Sequence, residues 1–446
     1  EWPLRPSYGD SPLLRFNRSQ FLLFPSTKHK MGKIPCPCPL PCQSKKKSTN
    51  SDSSSSSKSS TYSLYSQPSL PSVPSLSPPS THTTLFSNTI CVTTLKSPSS
   101  SYIFCLSLSG KHLYSGTSNG EIVLWDRVVA HSSSSIKSVV IFGHDKLFSA
   151  HQDHKIRVWK INKDEDDARN HQNYYKCIAT LPTLNDRCMR LFSAKNYVEI
   201  RRHKKCTWVH HVDTVSALAI SSDSSLLYSA SWDRTFKVWR TSDFKCVESV
   251  WNAHDDAINA IALSNDGYVY TGSADMRIKI WKREQGEKKQ HTLVATLEKH
   301  KSAVNALALS TDGSVLYSGA CDRSIIVWEK DSGGNGKMVV SGALRGHTKA
   351  ILCLAVVADL VCSGSADKTV RVWKRGIGKS YSCLAVLEGH NGPVKCLTAT
   401  IDGYSSSKTK DDFGCGNSYV VYSGSLDCDI KVWKIWAPPR VADLKF

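Results

Sequence analysis

The stretch Ser363–Trp373, SGSADKTVRVW, recurs in altered form along most of this chain. The other copies are SGTSNGEIVLW ending at Trp125, SAHQDHKIRVW at Trp159, SASWDRTFKVW at Trp239, TGSADMRIKIW at Trp281, SGACDRSIIVW at Trp328 and SGSLDCDIKVW at Trp433. An Asp stands six residues before the Trp in six of the seven copies, and Asn119 replaces it in the first. Successive tryptophans lie 34, 80, 42, 47, 45 and 60 residues apart. The uninterrupted intervals sit near the ~40–45-residue period of a four-stranded repeat.

Each copy reads as β-structure. Val370 and Val372 alternate with Arg371, and Ile278 and Ile280 with Lys279, the period of two of a strand with one buried face. A short strand precedes each Asp (LYSA at 227–230, VYTG at 269–272), and the Ser/Asp/Lys/Thr run between is turn chemistry. Upstream lies a third strand: VSALAI, INAIAL, VNALAL and ILCLAV at 215–220, 258–263, 304–309 and 351–356. A fourth falls between copies, as in FKCVESV (244–250) and HTLVATL (291–297). Four strands per unit, seven units and no helix predict an all-β, seven-bladed β-propeller of four-stranded antiparallel blades. It spans residues 86–436, after a tail at 1–85 and before a short one at 437–446. The orphan strand TICVTTL (89–95) is expected to close the ring as the outer strand of the last blade, beside Ile430–Trp433. Deleting 86–95 should then destabilise the ring, and deleting 1–80 should not.

The chain has 446 residues, 40% apolar, and a formal charge of +19. Residues 44–80 hold seventeen serines broken by prolines, too little apolar surface to offset ordering, so the tail is expected to be disordered. Residues 1–88 contribute +7 of the charge and the ring +12, so the charge is spread. No apolar run approaches the ~18–20 residues of a spanning helix, so no membrane-spanning helix is expected. The sixteen cysteines of a chain this long read as scattered reduced thiols. Translation from Met31 would make Gly32 the N-terminus, followed by Cys36, Cys38, Cys42 and Lys45–Lys47. That order is similar to a two-signal lipid anchor, although Cys36 stands where myristoylation favours Ser or Thr. The competing readings are a Pro/Cys-rich disordered tail, a transit peptide and, least favoured, a metal site short of a fourth ligand.

These phrases resemble the WD-repeat family over about residues 86–434. NYVEIRRHKK, SWDRTFKVWR, SDFKCVES, NAHDDAINA and GSADKTVRVWKR are more narrowly similar to the plant Jingubang-like group. Only Trp125-Asp126 keeps the family's Trp-Asp ending. The resemblance implies a structural hydrogen-bond network in five blades. Its members are His211, Ser229, Asp233 and Trp239; His254, Thr271, Asp275 and Trp281; His300, Ser318, Asp322 and Trp328; His347, Ser363, Asp367 and Trp373; and His390, Ser423, Asp427 and Trp433. A catalytic triad is the alternative. Five copies in phase with a strand-ending Trp argue against it, since an enzyme needs one nucleophile in one site, whereas buried polar groups need partners. Blade 1 has Ser99 near the His position, and blade 2 has only His131, one residue out of register, so both are expected to be looser. Cysteines on the strands read as small core residues.

No catalytic, cofactor or metal site is expected, and function falls to loops. An insertion at 183–209 carries Arg201, Arg202, Lys204 and Lys205 beside Trp208; it either packs down across a blade edge or docks a partner. A second insertion, 402–418, is polar. Trp232, directly before Asp233, is a further partner anchor or a packing residue. The expectation is a non-catalytic, monomeric scaffold for protein or peptide partners, cytoplasmic and/or nuclear, which the subgroup resemblance places in plant signalling or development. The alternative is nucleic-acid or anionic-membrane binding through the tail and the 183–209 insertion, with nucleic acid disfavoured. A cullin-type ligase receptor is disfavoured because Arg127 falls one position early for Trp-Asp-x-Arg.

Overall fold

The computed structural model describes residues 73–76, 89–124, 127–143, 145–161, 175–191, 197–201, 204–284, 290–331, 337–376, 379–402 and 417–437. Gly32, Cys36, Cys38, most of the 1–85 segment, Trp125-Asp126 and the centre of the 402–418 insertion lie outside these residues.

Seven four-stranded antiparallel sheets form a ring. The innermost strands are Ile103–Ser109, Ile136–Phe142, Val215–Ile220, Ile258–Leu263, Val304–Leu309, Ile351–Val357 and Val394–Ile401, which define blades 1 to 7. Each packs beside the next, and the seventh beside the first. Every inner strand begins with a β-bulge, such as that between Val215 and Ala217. The bulged residue is free to reach the next blade. Ser216 Oγ donates to Ile258 O at 2.6 Å, Asn259 Nδ2 to Val304 O at 3.0 Å, and Asn305 Nδ2 to Ile351 O at 2.8 Å. Small residues on the second strand permit this closeness. A Cβ on Gly319 would lie 2.5 Å from Ile351 Cγ2.

The core sits between blades, because each sheet buries both faces against neighbours. One cluster joins Tyr317, Val327 and Leu344 of blade 5 to Ile351, Val361, Trp373 and Tyr381 of blade 6. Thr89–Lys96 closes the ring as the outer strand of blade 7, antiparallel to Asp429–Ala437. Ring closure removes the exposed edge that a terminal blade would otherwise present.

Two features depart from the sequence-based expectations. Leu184–Leu191 is an α-helix, so the 183–209 insertion is not all-β. Thr183 caps it, its hydroxyl accepting from Asp186 N at 3.2 Å. Part of the segment assigned to a disordered tail is seated on the ring: Val73 is buried, and Ser75 pairs with Ala343. Val73 and Leu76 supply the reason, since they bury apolar surface that the flanking Ser/Pro sequence lacks.

Candidate functional site

The turn between the second and third strands of each blade gathers the repeat's polar residues on one face of the ring. In blade 3, Trp239 Nε1 donates to Ser229 Oγ at 2.9 Å, and Ser229 Oγ meets His211 Nε2 at 2.8 Å. His211 Nδ1 then meets Asp233 Oδ2 at 3.0 Å. One direction of donation satisfies all three: Trp N–H to Ser, Ser O–H to His Nε2, His Nδ1–H to the carboxylate. The carboxylate also accepts from Val212 N at 3.0 Å, Thr235 N at 2.9 Å and the Thr235 hydroxyl at 2.7 Å. Burial alone would raise the Asp233 pKa, but these donors hold it well below the carboxylate range. Burial lowers the His211 pKa against the pull of Asp233, so the imidazole is neutral.

The same chain runs through four more blades. His254 bridges Asp275 at 2.8 Å and Thr271 at 2.7 Å; His300 bridges Asp322 at 2.9 Å and Ser318 at 2.8 Å. His347 bridges Asp367 at 2.8 Å and Ser363 at 2.9 Å; His390 bridges Asp427 at 2.9 Å and Ser423 at 2.8 Å. Trp281, Trp328, Trp373 and Trp433 each donate to the hydroxyl of their own blade at 2.8–2.9 Å. In these five chains the serine or threonine is buried and engaged by two ring nitrogens.

Blade 2 builds a chain from residues that sequence reasoning passed over. His131 is exposed and takes no part. His151, at the position of Ser231 in blade 3, meets Ser149 Oγ at 2.7 Å and Ser132 Oγ at 3.1 Å, while Trp159 donates to Ser149 at 2.7 Å. Asp153, released from the histidine, pairs with Arg157 at 2.6 Å. Burial, then the Arg157 charge, lowers the His151 pKa to about 4. In blade 1, Thr117 donates to Asn119, and Asn119 Nδ2 donates to Ser99 Oγ at 2.9 Å.

Nearer the other end of the same second strands, the blades are joined by rings. Tyr114 Oη meets Tyr175 Oη at 2.9 Å, and Tyr317 Oη meets Tyr381 Oη at 2.8 Å. Tyr228 Oη meets His291 Nε2 at 3.2 Å, and His291 Nδ1 is held by Glu248 at 2.7 Å. Phe148 packs on Phe244 at 6.1 Å in the same arrangement. The signal was present: an aromatic in the LYS/VYT phrase, and an aromatic or His at the start of the next blade's outer strand.

The 183–209 insertion packs onto blade 3. Asp186 Oδ2 accepts from the edge amide of Cys246 at 3.0 Å, and the Arg190 guanidinium lies 4.0 Å from the Trp208 ring centroid. Lys237, fully buried in blade 3, donates to Trp208 O at 2.7 Å and Ser249 Oγ at 2.6 Å and covers Trp251 at 4.4 Å. Burial lowers its pKa. Trp208 is therefore an anchor of the insertion. Arg201, Lys204 and Lys205 lie in the hairpin Tyr197–Arg201/Lys204–Thr207, and Arg202 falls at its undescribed tip. Trp232 is half-buried on the Asp-turn face, well away in sequence from that hairpin, with its main-chain N–H donating to Thr214 O at 3.0 Å.

Burial raises the pKa of the Cys105, Cys246, Cys353 and Cys362 thiols to about 12. Among the described residues, no group of His, Cys, Asp and Glu is placed to hold a metal, and no helix is long and apolar enough to cross a membrane.

Comparison with known proteins agrees with this architecture. The family described as "WD domain, G-beta repeat" matches residues 89–126, 203–240, 244–282, 291–329, 336–374 and 381–434. Autophagy-related protein 16 of Arabidopsis thaliana is 26% identical over 289 residues, 61% of this chain and 53% of that protein. Protein ROOT INITIATION DEFECTIVE 3 of the same plant is 32% identical over 218 residues, 46% of this chain and 43% of its own length. The small ribosomal subunit protein RACK1 of Drosophila melanogaster is 32% identical over 103 residues, 22% of this chain and 30% of its own. The chain thus spans about half the length, or less, of these relatives. Its matched segments cover more than half of its sequence and coincide with six of the seven blades, and on that ground the chain belongs to the WD40-repeat family.

Proposed function

We propose that this chain is a non-catalytic adaptor that holds protein or peptide partners on a rigid ring. One observation carries the reading. The repeated His, Ser/Thr and Asp sets of five blades, which resemble catalytic triads, are consumed in internal hydrogen bonds, which points to the loops and rims as the acting surfaces. WD40 propellers are in general protein-interaction scaffolds. The relatives' names point to different processes (autophagy, root initiation, a ribosomal subunit), so the scaffold role is what transfers. A place in plant signalling or development, with the Jingubang-like group as kin, is supported by the sequence phrases quoted above. We place the protein in the cytoplasm or nucleus, with peripheral membrane contact if Gly32 is an acylated N-terminus.

Affinity capture with the full chain and with a Trp232→Ala variant, read by mass spectrometry, tests the adaptor role. The same proteins recovered with a denatured chain would remove it. A second reading is favoured by the concentration of Arg201–Lys205 at one hairpin end. That end contacts an anionic surface, and charge reversal there should abolish salt-sensitive binding to anionic vesicles.

A further inference from the structure

Blade 5 carries a length of chain from outside the repeats on its outer edge. Val73–Leu76 runs parallel to the outer strand Met338–Leu344, paired at Ser75 and Ala343. Ala343 N donates to Pro74 O at 2.9 Å, Leu76 N to Ala343 O at 3.0 Å, and Tyr381 N of blade 6 to Leu76 O at 3.2 Å. Arg345 Nη2 donates to Val73 O at 2.5 Å. Val73, 2% exposed, enters the cluster that contains Ile326, Trp328, Met338 and Ala343. Leu76 packs on the blade 5–blade 6 cluster and over Gly342, where a Cβ would lie 2.4 Å from Leu76 Cγ. Pro74 and Ser75 face solvent.

Three residues distinguish blade 5 from blades 2, 3, 4 and 6 at this spot, and together they make the slot. Opposite Ala343 stands Ile326, where blades 2, 3, 4 and 6 have Arg157, Lys237, Lys279 and Arg371. A basic side chain there would put a charge against Val73. Gly342 stands where the same blades have Ala179, Glu248, Ala295 and Ala385, and Ala343 where they have Thr180, Ser249, Thr296 and Val386. The slot therefore reads a branched apolar residue and a leucine three positions later, with main-chain pairing between them. This is strand addition to a sheet edge, with one pocket on each face of the blade giving the choice of sequence. A proline inside the segment lowers the entropy lost on docking.

We propose that this rim slot is a docking site for extended segments of a partner protein with the pattern branched-apolar, Pro, small polar, Leu, and that Val73–Leu76 fills it in cis. The proposal rests on the adaptor reading and narrows it to one surface and one partner chemistry. Twelve residues, 77–88, join the segment to the ring-closing strand. A tether of that length gives an effective concentration on the order of 1 mM. Against an intrinsic Kd of about 50–100 µM, the cis segment would raise the apparent Kd of a competitor about tenfold to twentyfold.

The probe is a fluorescein-labelled peptide of residues 70–79, LPSVPSLSPP, titrated by anisotropy against the full chain. The expected result is binding at least tenfold tighter to the Val73→Asp/Leu76→Asp chain than to the natural one. Adding Gly342→Val to that variant should abolish it. The position tolerates a side chain, since blade 3 carries Glu248 there, and circular dichroism verifies the fold of each variant. No binding to the folded Val73→Asp/Leu76→Asp chain overturns the proposal and leaves Val73–Leu76 a fixed staple. Binding that survives Gly342→Val overturns the location. Either failure leaves the capture experiment for the adaptor role standing, so the two readings fail separately.

Discussion

Tyr270 offers a test in which one of three similar tyrosines should behave unlike the others. The Tyr317 hydroxyl meets that of Tyr381 at 2.8 Å and the Tyr228 hydroxyl meets His291 Nε2 at 3.2 Å, each reaching the first residue of the next blade's outer strand. The corresponding residue facing Tyr270 is Met338, whose thioether is only a weak acceptor, and Tyr270 Oη is buried without a hydrogen bond although Ser264 lies near. Removing one partner of a buried pair costs about 1–3 kcal/mol, whereas removing an unmet hydroxyl costs nothing or gains. Tyr317→Phe should therefore destabilise by about 2 kcal/mol, because the Tyr381 hydroxyl is left buried and unmet. Tyr270→Phe should change stability by less than about 0.5 kcal/mol or raise it. In a ring of about 350 residues, 2 kcal/mol corresponds to about 3 °C in Tm. Urea unfolding followed by tryptophan fluorescence gives the same comparison, with equal m-values as the control. The double variant Tyr317→Phe/Tyr381→Phe should recover much of the loss. Equal costs at Tyr270 and Tyr317 would show that ring packing, not hydroxyl pairing, governs these sites, and the reasoning would fall.

Four further outcomes are expected. The folded pKa of His151 is about 4, below its value of 6.5 in a free chain, so its stabilisation is complete above pH 6.5 and is lost as pH falls toward 4. At about 1.4 kcal/mol per unit, that is up to about 3 kcal/mol; urea midpoints at pH 7 and 4.5 should show it, with a smaller difference in His151→Gln. Lys237→Met should detach the 183–209 insertion from blade 3, costing about 2–3 kcal/mol through the lost charged hydrogen bonds, and speed tryptic cleavage there. Iodoacetamide on the native chain should label exposed Cys91, Cys177, Cys188 and Cys383 while sparing Cys105, Cys353, Cys362 and Cys396, as mass spectrometry would register. Deleting 86–95 should open the ring at Asp429–Ala437, and deleting 1–80 is not neutral: losing the Val73–Leu76 segment should cost about 1.4–1.8 kcal/mol in a thermal melt.

The repeat was legible because its period and its alternation arise from covalent geometry that every blade shares. The strand at Thr89–Lys96 could be placed because it had no partner of its own and the last blade lacked one. What escaped is local exchange of role between positions. His131 looked like the blade 2 histidine because it stands near the right spacing, but the ring that reaches Ser149 comes from His151 on the strand itself. Spacing along the chain cannot reveal that two positions swap functions when both point into the same small space. The Val73–Leu76 segment escaped for a different reason. Composition averages over dozens of residues, and four residues with two apolar side chains do not alter the average of a Ser/Pro-rich stretch. Their order becomes visible only against Ile326 and Gly342, about 250 residues downstream.

The positions where blades differ carry more information about use than the positions where they agree. Ser229, His211 and Trp239 are occupied by one another, so a change there alters stability and offers a partner nothing. Two departures from the repeat, and one basic side chain that most blades keep, are each met by a partner nearby. His151 is matched by Ser132 and Lys237 by Trp208 O, while Ile326 with Gly342 is matched by Val73 with Leu76. The first pair closes within one blade and restores what the repeat would have supplied. The second and third recruit chain from outside the repeats to the outer rim, where main-chain groups and pockets remain able to accept another segment. Lys237 holds its recruit through a buried cation, which is costly to expose once its acceptors leave. Blade 5 holds Val73–Leu76 through apolar contacts, edge hydrogen bonds and the half-buried Arg345 guanidinium, all of which a similar strand can satisfy. Of the two rims, that of blade 5 can exchange its occupant without stranding a fully buried charge, because an incoming main-chain carbonyl takes the place of Val73 O, and exchange is what an adaptor requires.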